Sequence, residues 1–337
     1  MLIFASKMKR IVYLLLISLL FVSCRQRYYE ERGTVFHTLY QVKYQSNIAL
    51  AEKIDAELQA FDLSLNPFNP NSILSKVNRN EEVEVDQWFI DVFNKSMEVS
   101  EHSNGLFDVT AAPLINLWGF GFENFDKISL EIIDSLKTFV GYQKVRLEGK
   151  YIIKDDPRLM LNFSAIAKGY ACDVIAALLE REGVDNYLVD IGGEIAARGK
   201  NARGVCWRIG INEPEDDNFV MNNSYNEVVQ LCGKSGMATS GNYRNYYIKD
   251  GKKYAHTIDP ITGYPSEQNI LSATIVAPDC MTADAYATAF MVMGVEDACS
   301  LAEQIPEIAY YLIYSGDDGI TQITYSDGMS SKLVNRK

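Results

Sequence analysis

Cysteine is sparse and unpatterned in this chain of 337 residues: six are present, with no Cys-x-x-Cys pair and no Cys/His cluster. Neither a zinc site nor a disulfide framework is therefore indicated. With Cys24 set aside, Cys172, Cys206, Cys232, Cys280 and Cys299 are an odd number and read as buried small apolar side chains. A single disulfide stays open in an oxidising compartment. Histidine is scarcer still, at His37, His102 and His256. Fixed-period repeats, low-complexity tracts and long Pro/Ser linkers are missing, so nothing divides the chain. Positive charge is in deficit, 32 Lys and Arg against 44 Asp and Glu, for a formal net charge of -12. Such an acidic body disfavours nucleic acid and anionic lipid surfaces as partners, and makes any anionic substrate depend on local cations.

No apolar run is long enough to span a bilayer. Ile11–Val22 is about a dozen residues, which at ~1.5 Å each falls short of the ~30 Å hydrocarbon core. Lys7, Lys9 and Arg10 precede it and Ser23-Cys24 follows it, the parts of a secretory signal. Phe21-Val-Ser-Cys24 resembles a bacterial lipobox, with Met8 as an alternative start. The expectation is a signal peptide over 1–23, lipidation at Cys24, a membrane tether over 24–33 and one body over 34–333. An ordinary cleaved signal would instead leave Cys24 without a role. A lipoprotein carries two or three acyl chains, enough for stable attachment where one chain binds only marginally. The location implied is the inner membrane, lipid-anchored, on the periplasmic side. Losing residues 1–23 removes three cations and no acid, taking the net charge to -15.

The body mixes helix and strand signals. Thr34–Tyr44 alternates as a strand, and Ile48–Phe61 has helical spacing ended by Asn66-Pro67. Asp86 opens a helix to Glu101, Ser129 caps another to Phe139, and Ser164–Arg181 reads as a long helix stopped by Gly183. Strands follow at Tyr187–Ile191, Trp207–Ile211, Glu227–Cys232, Tyr243–Lys249, Leu271–Ala277 and Ile308–Tyr314, with helices at Thr282–Met293 and Glu296–Gln304. The spacing lacks regular βαβ units, which favours α+β over a doubly wound sheet.

Several constellations carry chemistry. Asp284 and Thr288 lie four apart in a helical segment, so they stack on one face. A carboxylate and a hydroxyl are oxygen donors of the kind Mg²⁺ takes; capping by Asp284 and a back-bond from Thr288 to the i−4 carbonyl explain the same spacing. His256 sits in a turn-rich segment three residues before Asp259-Pro260, suited to a general base or phosphate contact, or to a structural role. Gly236-Met-Ala-Thr-Ser-Gly-Asn-Tyr-Arg244 could let backbone amides approach phosphate, or be a plain turn between strands. Ser164 and Lys168 at a helix start could hold an anion, with Ser164 also readable as an N-cap. Gly105-Leu-Phe-Asp108 and Leu117-Trp-Gly-Phe-Gly121 set aromatics among glycines, as a sandwich for a flat ring or as core.

Taken in order, the segments resemble the ApbE family of FAD-dependent protein FMN transferases. The matching pieces are Gly33-Thr34, Asp62-Leu-Ser with Asn71-Ser72, Gly105-Leu-Phe-Asp-Val-Thr110 through Gly121, Ala165-Ile-Ala-Lys-Gly-Tyr170, Val189-Asp-Ile-Gly-Gly-Glu194, Ala238-Thr-Ser-Gly-Asn-Tyr-Arg244, His256-Thr-Ile-Asp-Pro and Ala283-Asp-Ala-Tyr-Ala-Thr288. The resemblance implies one elaborate α+β domain, T-fold-like, of two interlocked lobes with the flavin nucleotide between them. It implies that FMN passes from FAD to a Ser or Thr hydroxyl of a secreted or membrane-bound acceptor protein, releasing AMP. Asp284 and Thr288 become Mg²⁺ ligands, joined by the Ala165 carbonyl. Arg32, Asn66, Leu106, Phe107, Asp108, Asn162, Lys168 and Ile258 line the nucleotide pocket, and His256 becomes the general base or phosphate-orienting group.

Four positions depart from the family pattern: Arg32 replaces a Met, Asn162 an Asp, Ala287 an Asp found in some relatives, and Asn66 a Tyr. The last leaves more room and less aromatic cover, which would let water replace the protein hydroxyl and turn transfer into FAD hydrolysis to FMN and AMP. A flavin-binding lipoprotein without turnover is the reading from a different class.

Overall fold

The computed structural model describes residues 27–121, 128–212, 225–241, 246–249, 252–255 and 257–334. Strand β1 (Arg27–Val35) turns through Phe36 and His37, at φ 51° and 60°, into β2 (Thr38–Ser46). Two successive left-handed residues match the right-handed twist of a tight hairpin. The single strand expected over Thr34–Tyr44 is thus a two-stranded hairpin, and residues 27–33 belong to the body rather than to a tether. Apolar contact holds them there: Tyr29 stacks on Tyr44 with ring centroids 5.4 Å apart.

Helices α1 (Ala51–Leu65), α2 (Ile73–Asn78), α3 (Gln87–His102), α4 (Ala112–Leu117) and α5 (Leu130–Lys137) follow, then a hairpin of β3 (Val145–Glu148) and β4 (Tyr151–Lys154), and α6 (Ala167–Arg181). The chain returns through β5 (Tyr187–Ile191), β6 (Glu194–Arg198), β7 (Trp207–Asn212), β8 (Tyr225–Leu231), β9 (Ser235–Gly241), β10 (Tyr246–Lys249), β11 (Lys252–Ala255) and β12 (Ile270–Ala277). It closes with α7 (Cys280–Met293), α8 (Val295–Gln304), β13 (Ala309–Ser315), β14 (Thr321–Tyr325) and α9 (Asp327–Ser330). Eight strands form one antiparallel sheet in the order β1-β2-β5-β6-β9-β12-β13-β14. Neighbours in the sheet follow chain order, with helices and hairpins inserted between them, so the protein is a single α+β domain.

Side chains alternate across a strand, and here both faces are covered. Tyr187, Val189 and Ile191 point into a large core with α1, α3, α6 and α7, while Leu188 points into a second core with Trp207, Val229 and Leu231 of the β7–β8 hairpin. β12 divides likewise, Ala273, Ile275 and Ala277 to one side and Val276 to the other. A third, smaller core joins Leu114, Leu117 and Trp118 to Ile133 and Ile258.

Helix α7 is mostly apolar and almost wholly buried, with Asp284 and Thr288 as its polar exceptions toward the cavity. Its N-cap is Asp279, whose Oδ1 accepts from Thr282 N at 2.7 Å, so Asp284 is not the cap. Two glycines let it sit deep. A methyl on Gly169 of α6 would lie 2.4 Å from the Cys280 carbonyl oxygen, and one on Gly236 of β9 would lie 2.2 Å from Cys280 N. Backbone meets backbone at both places, which no side chain permits. The segment expected to be a phosphate loop or turn, Gly236–Gly241, is therefore most of a central strand; residues 242–244 lie outside the described residues.

Candidate active site

A cavity of about 890 Å³ opens where α6, α7, the β5–β6 turn, the end of β9 and the β7 hairpin meet. Leu106, Phe107, Asp108, Asn162, Ala165, Lys168, Ile258, Asp284 and Thr288 all line it. These residues lie up to 182 positions apart in the chain, and the fold collects them at one place.

Asp284 is buried in the middle of α7 and its Oδ2 accepts the Gly169 N–H at 2.9 Å. Thr288, one turn on, has its hydroxyl 3.3 Å from Ser240 Oγ. Lys168 sits in the first turn of α6 and its Nζ donates to Glu194 Oε1 at 2.5 Å. Glu194 begins β6 directly after the Gly192-Gly193 turn and is 5% exposed, and its Oε2 has no hydrogen-bond partner among the described residues. Burial pushes the Glu194 carboxyl up to about 7, with Lys168 pulling the other way and Asp284 adding to the rise. Burial raises Asp284 too, opposed by Lys168 and the Gly169 N–H. Burial works against the Lys168 charge, but Asp284 and Glu194 outweigh it and hold the ammonium above its usual range.

Two buried carboxylates thus face one ammonium, and one carboxylate oxygen is orphaned. A hydroxyl and the Ala165 carbonyl segment lie in the same cavity. Among the described residues no three His, Cys, Asp or Glu side chains group as a metal cluster. The donor set is instead carboxylate, hydroxyl and carbonyl, hard oxygens with surplus negative charge beside them, and it fits a divalent cation of the oxygen-seeking kind.

Two lining residues act through backbone. Asp108 Oδ1 accepts from Thr110 N at 2.7 Å and Thr110 Oγ1 at 2.6 Å, and its Oδ2 from Tyr142 N at 2.8 Å. It is a staple for the 106–110 loop. Asn162 Oδ1 accepts from Ser164 N at 2.8 Å, shaping the turn that carries Ala165. Helix α6 starts at Ala167 and not at Ser164, and it has no side-chain N-cap.

Two expected pocket residues, Arg32 and Asn66, do not line the cavity. Arg32 lies on the edge strand β1 and pairs with Glu30; its register partner Gln41 takes the place in the wall. Asn66 is turned into its own loop, Nδ2 donating to Asp62 Oδ1 at 2.7 Å and Oδ1 accepting from Phe68 N at 2.9 Å. Phe68, two residues on, reaches the cavity instead, so aromatic cover is not lost there. Ala287 is fully buried in the large core. His256 and Cys24 lie outside the described residues.

The cavity has a further wall that no sequence motif marks. Trp207, Arg208, Ile209 and Gly210 of β7 line the cavity, as do Lys43 and Glu194. Among the described residues, Lys43, Lys168 and Arg208 supply the local cations that an acidic protein needs for an anionic ligand. The hairpin behind Trp207 is clipped by a Cys206–Cys232 disulfide, a pair that nothing in the cysteine spacing singled out.

The whole fold is that of solved flavin transferases. It is similar to the flavin transferase ApbE from Vibrio cholerae, with a TM-score of 0.82 at 34% identity, covering 91% of this chain and 100% of that one. Flavinyl transferase ApbE from Pseudomonas stutzeri, in its apo form, gives 0.78 at 29% identity, with 92% and 99% covered. The chain belongs to the ApbE family, whose model matches residues 35–312. Among its relatives, a FAD:protein FMN transferase of Vibrio cholerae is 37% identical over 307 residues, 87% of this chain and 90% of that protein. One from Escherichia coli K12 is 37% identical over 297 residues, 86% and 83%.

Proposed function

We propose that this protein transfers the FMN moiety of FAD to a Ser or Thr hydroxyl of an acceptor protein, forming a phosphoester and releasing AMP. The observation that carries this reading is the convergence of the nucleotide and cation residues, Lys168, Asp284 and Thr288 above all, on one cavity. Its size suits a large cofactor-like ligand. Phe68, Phe107 and Trp207 supply faces for a flat ring, while Lys43, Lys168 and Arg208 meet the charge of a pyrophosphate.

Asp284, Thr288 and the Ala165 carbonyl would hold Mg²⁺, which when bound neutralises charge on the pyrophosphate. The acceptor oxygen bonds to the FMN phosphorus, the phosphoanhydride P–O bond breaks toward AMP, and the hydroxyl proton passes to His256. Lipid anchoring at Cys24 would place the domain on the periplasmic side of the inner membrane, and the Cys206–Cys232 disulfide supports an oxidising compartment. Hydrolysis would need Asn66 to open the pocket to water, and Asn66 faces its own loop.

The test is incubation with FAD, Mg²⁺ and candidate exported acceptors. A mass gain of one FMN on the acceptor with an equal amount of AMP is expected. AMP without acceptor modification would make the protein a hydrolase, and neither product would make it a flavin binder.

A further inference from the structure

Lys168 lies between two buried carboxylates and is bonded to only one of them. Its ion pair among the described residues is with Glu194, at 2.5 Å, while Asp284 is held by the Gly169 N–H. Lys168 and Gly169 are consecutive, so the ammonium is tethered one residue from the group that binds Asp284. Both carboxylates are buried, at 5% and 3% exposure. In such surroundings an ammonium released from one carboxylate finds its best partner in the other.

We propose that Glu194 is a positioning residue that ties the Lys168 ammonium to itself and so leaves the Asp284 carboxylate to a divalent cation. The inference rests on the cation reading given above and assigns Glu194 a part in it.

The surrounding structure fixes Glu194 for this task. It follows Gly192 and Gly193, at φ 70° and 104°, which turn the chain sharply between β5 and β6. A methyl on Gly192 would come 3.3 Å from Glu194 Oε2, so the orphaned oxygen packs against that turn. The Glu194 carbonyl accepts from Cys172 Sγ of α6 at 3.1 Å, on the same helix as Lys168. Strand and helix are therefore locked where the ion pair forms. Neutralising Glu194 would free Lys168 to pair with Asp284, and an incoming cation would have to displace an ammonium.

The test is Mn²⁺ binding to the full-length protein without FAD, read from the paramagnetic resonance of free Mn²⁺. Asp284→Ala is expected to lose the site. Glu194→Gln should weaken binding about 10–100-fold, the range for residues that orient metal ligands. Glu194→Gln combined with Lys168→Met should return to within a few-fold of wild type, because the competing ammonium is gone. Lys168→Met alone should bind Mn²⁺ at least as tightly as wild type, and serves if Glu194→Gln fails to fold. Unchanged affinity in Glu194→Gln, a double variant as weak as the single one, or weaker binding in Lys168→Met would each overturn the proposal. If Asp284→Ala binds Mn²⁺ like wild type, the cation reading itself fails; if Asp284→Ala loses Mn²⁺ while Glu194→Gln keeps it, only the role of Glu194 fails.

Discussion

The N–H of Gly169 donates to Asp284 Oδ2 at 2.9 Å, so the first turn of one helix holds the carboxylate of another. The contact exists because Gly169 has no side chain: a methyl there would meet the Cys280 carbonyl at 2.4 Å and Asp284 Cβ at 2.7 Å. Gly169→Ala should push α6 and α7 apart and destabilise the protein by about 1–3 kcal/mol, the usual cost of overpacking. Urea unfolding midpoints would check this, and wild-type stability in the variant would contradict the close approach.

The β7–β8 hairpin gives Trp207 and Arg208 to the cavity and is closed by Cys206–Cys232, 26 residues apart. In the chain-entropy description such a loop is worth about 3.5 kcal/mol. The double variant Cys206→Ser/Cys232→Ser should lose stability of that order and bind FAD more weakly. Thermal unfolding and flavin fluorescence titration measure the two effects; a variant unchanged in both would show that the clip does not hold this wall.

Asp173 of α6 accepts the N–H groups of Cys280 at 2.9 Å and Met281 at 2.7 Å. Burial, with Asp279 adding to it, raises its carboxyl to about 7 despite those donors. The native state then keeps a proton that the unfolded chain releases near pH 4. Stability from this group is present below about pH 4 and is lost as pH rises toward about 7. The difference in unfolding free energy between wild type and Asp173→Asn should therefore shrink across that window. A difference that is constant or grows with pH would refute the assignment.

Much of the site was legible because its signals are local. Asp284 and Thr288 are four apart on a continuous apolar helix, and Asp86 before Gln87–His102 caps as its position predicts, Oδ1 accepting from Phe89 N at 2.9 Å. The family pattern brought Lys168, Asn162 and Leu106–Asp108 into the same cavity without geometry. What could not be read depends on distant contacts. Strand β9 is rich in Gly, Ser and Thr, like a loop, because Gly236 must admit the Cys280 backbone. Arg32 lies outside the cavity lining because it sits on the outermost strand of the sheet, and Asn66 because its amide closes its own turn. The β7 wall and its disulfide arise from a hairpin folding over the far face of the sheet, which no local spacing announces.

FMN transfer is proposed to take place in the cavity around Asp284. Its most direct test is the intact mass of an acceptor protein after incubation with FAD and Mg²⁺, using wild type and Asp284→Ala side by side. Wild type should add one FMN to the acceptor, and Asp284→Ala should leave its mass unchanged while the variant stays folded. Transfer by Asp284→Ala at the wild-type rate would contradict a role for this cavity.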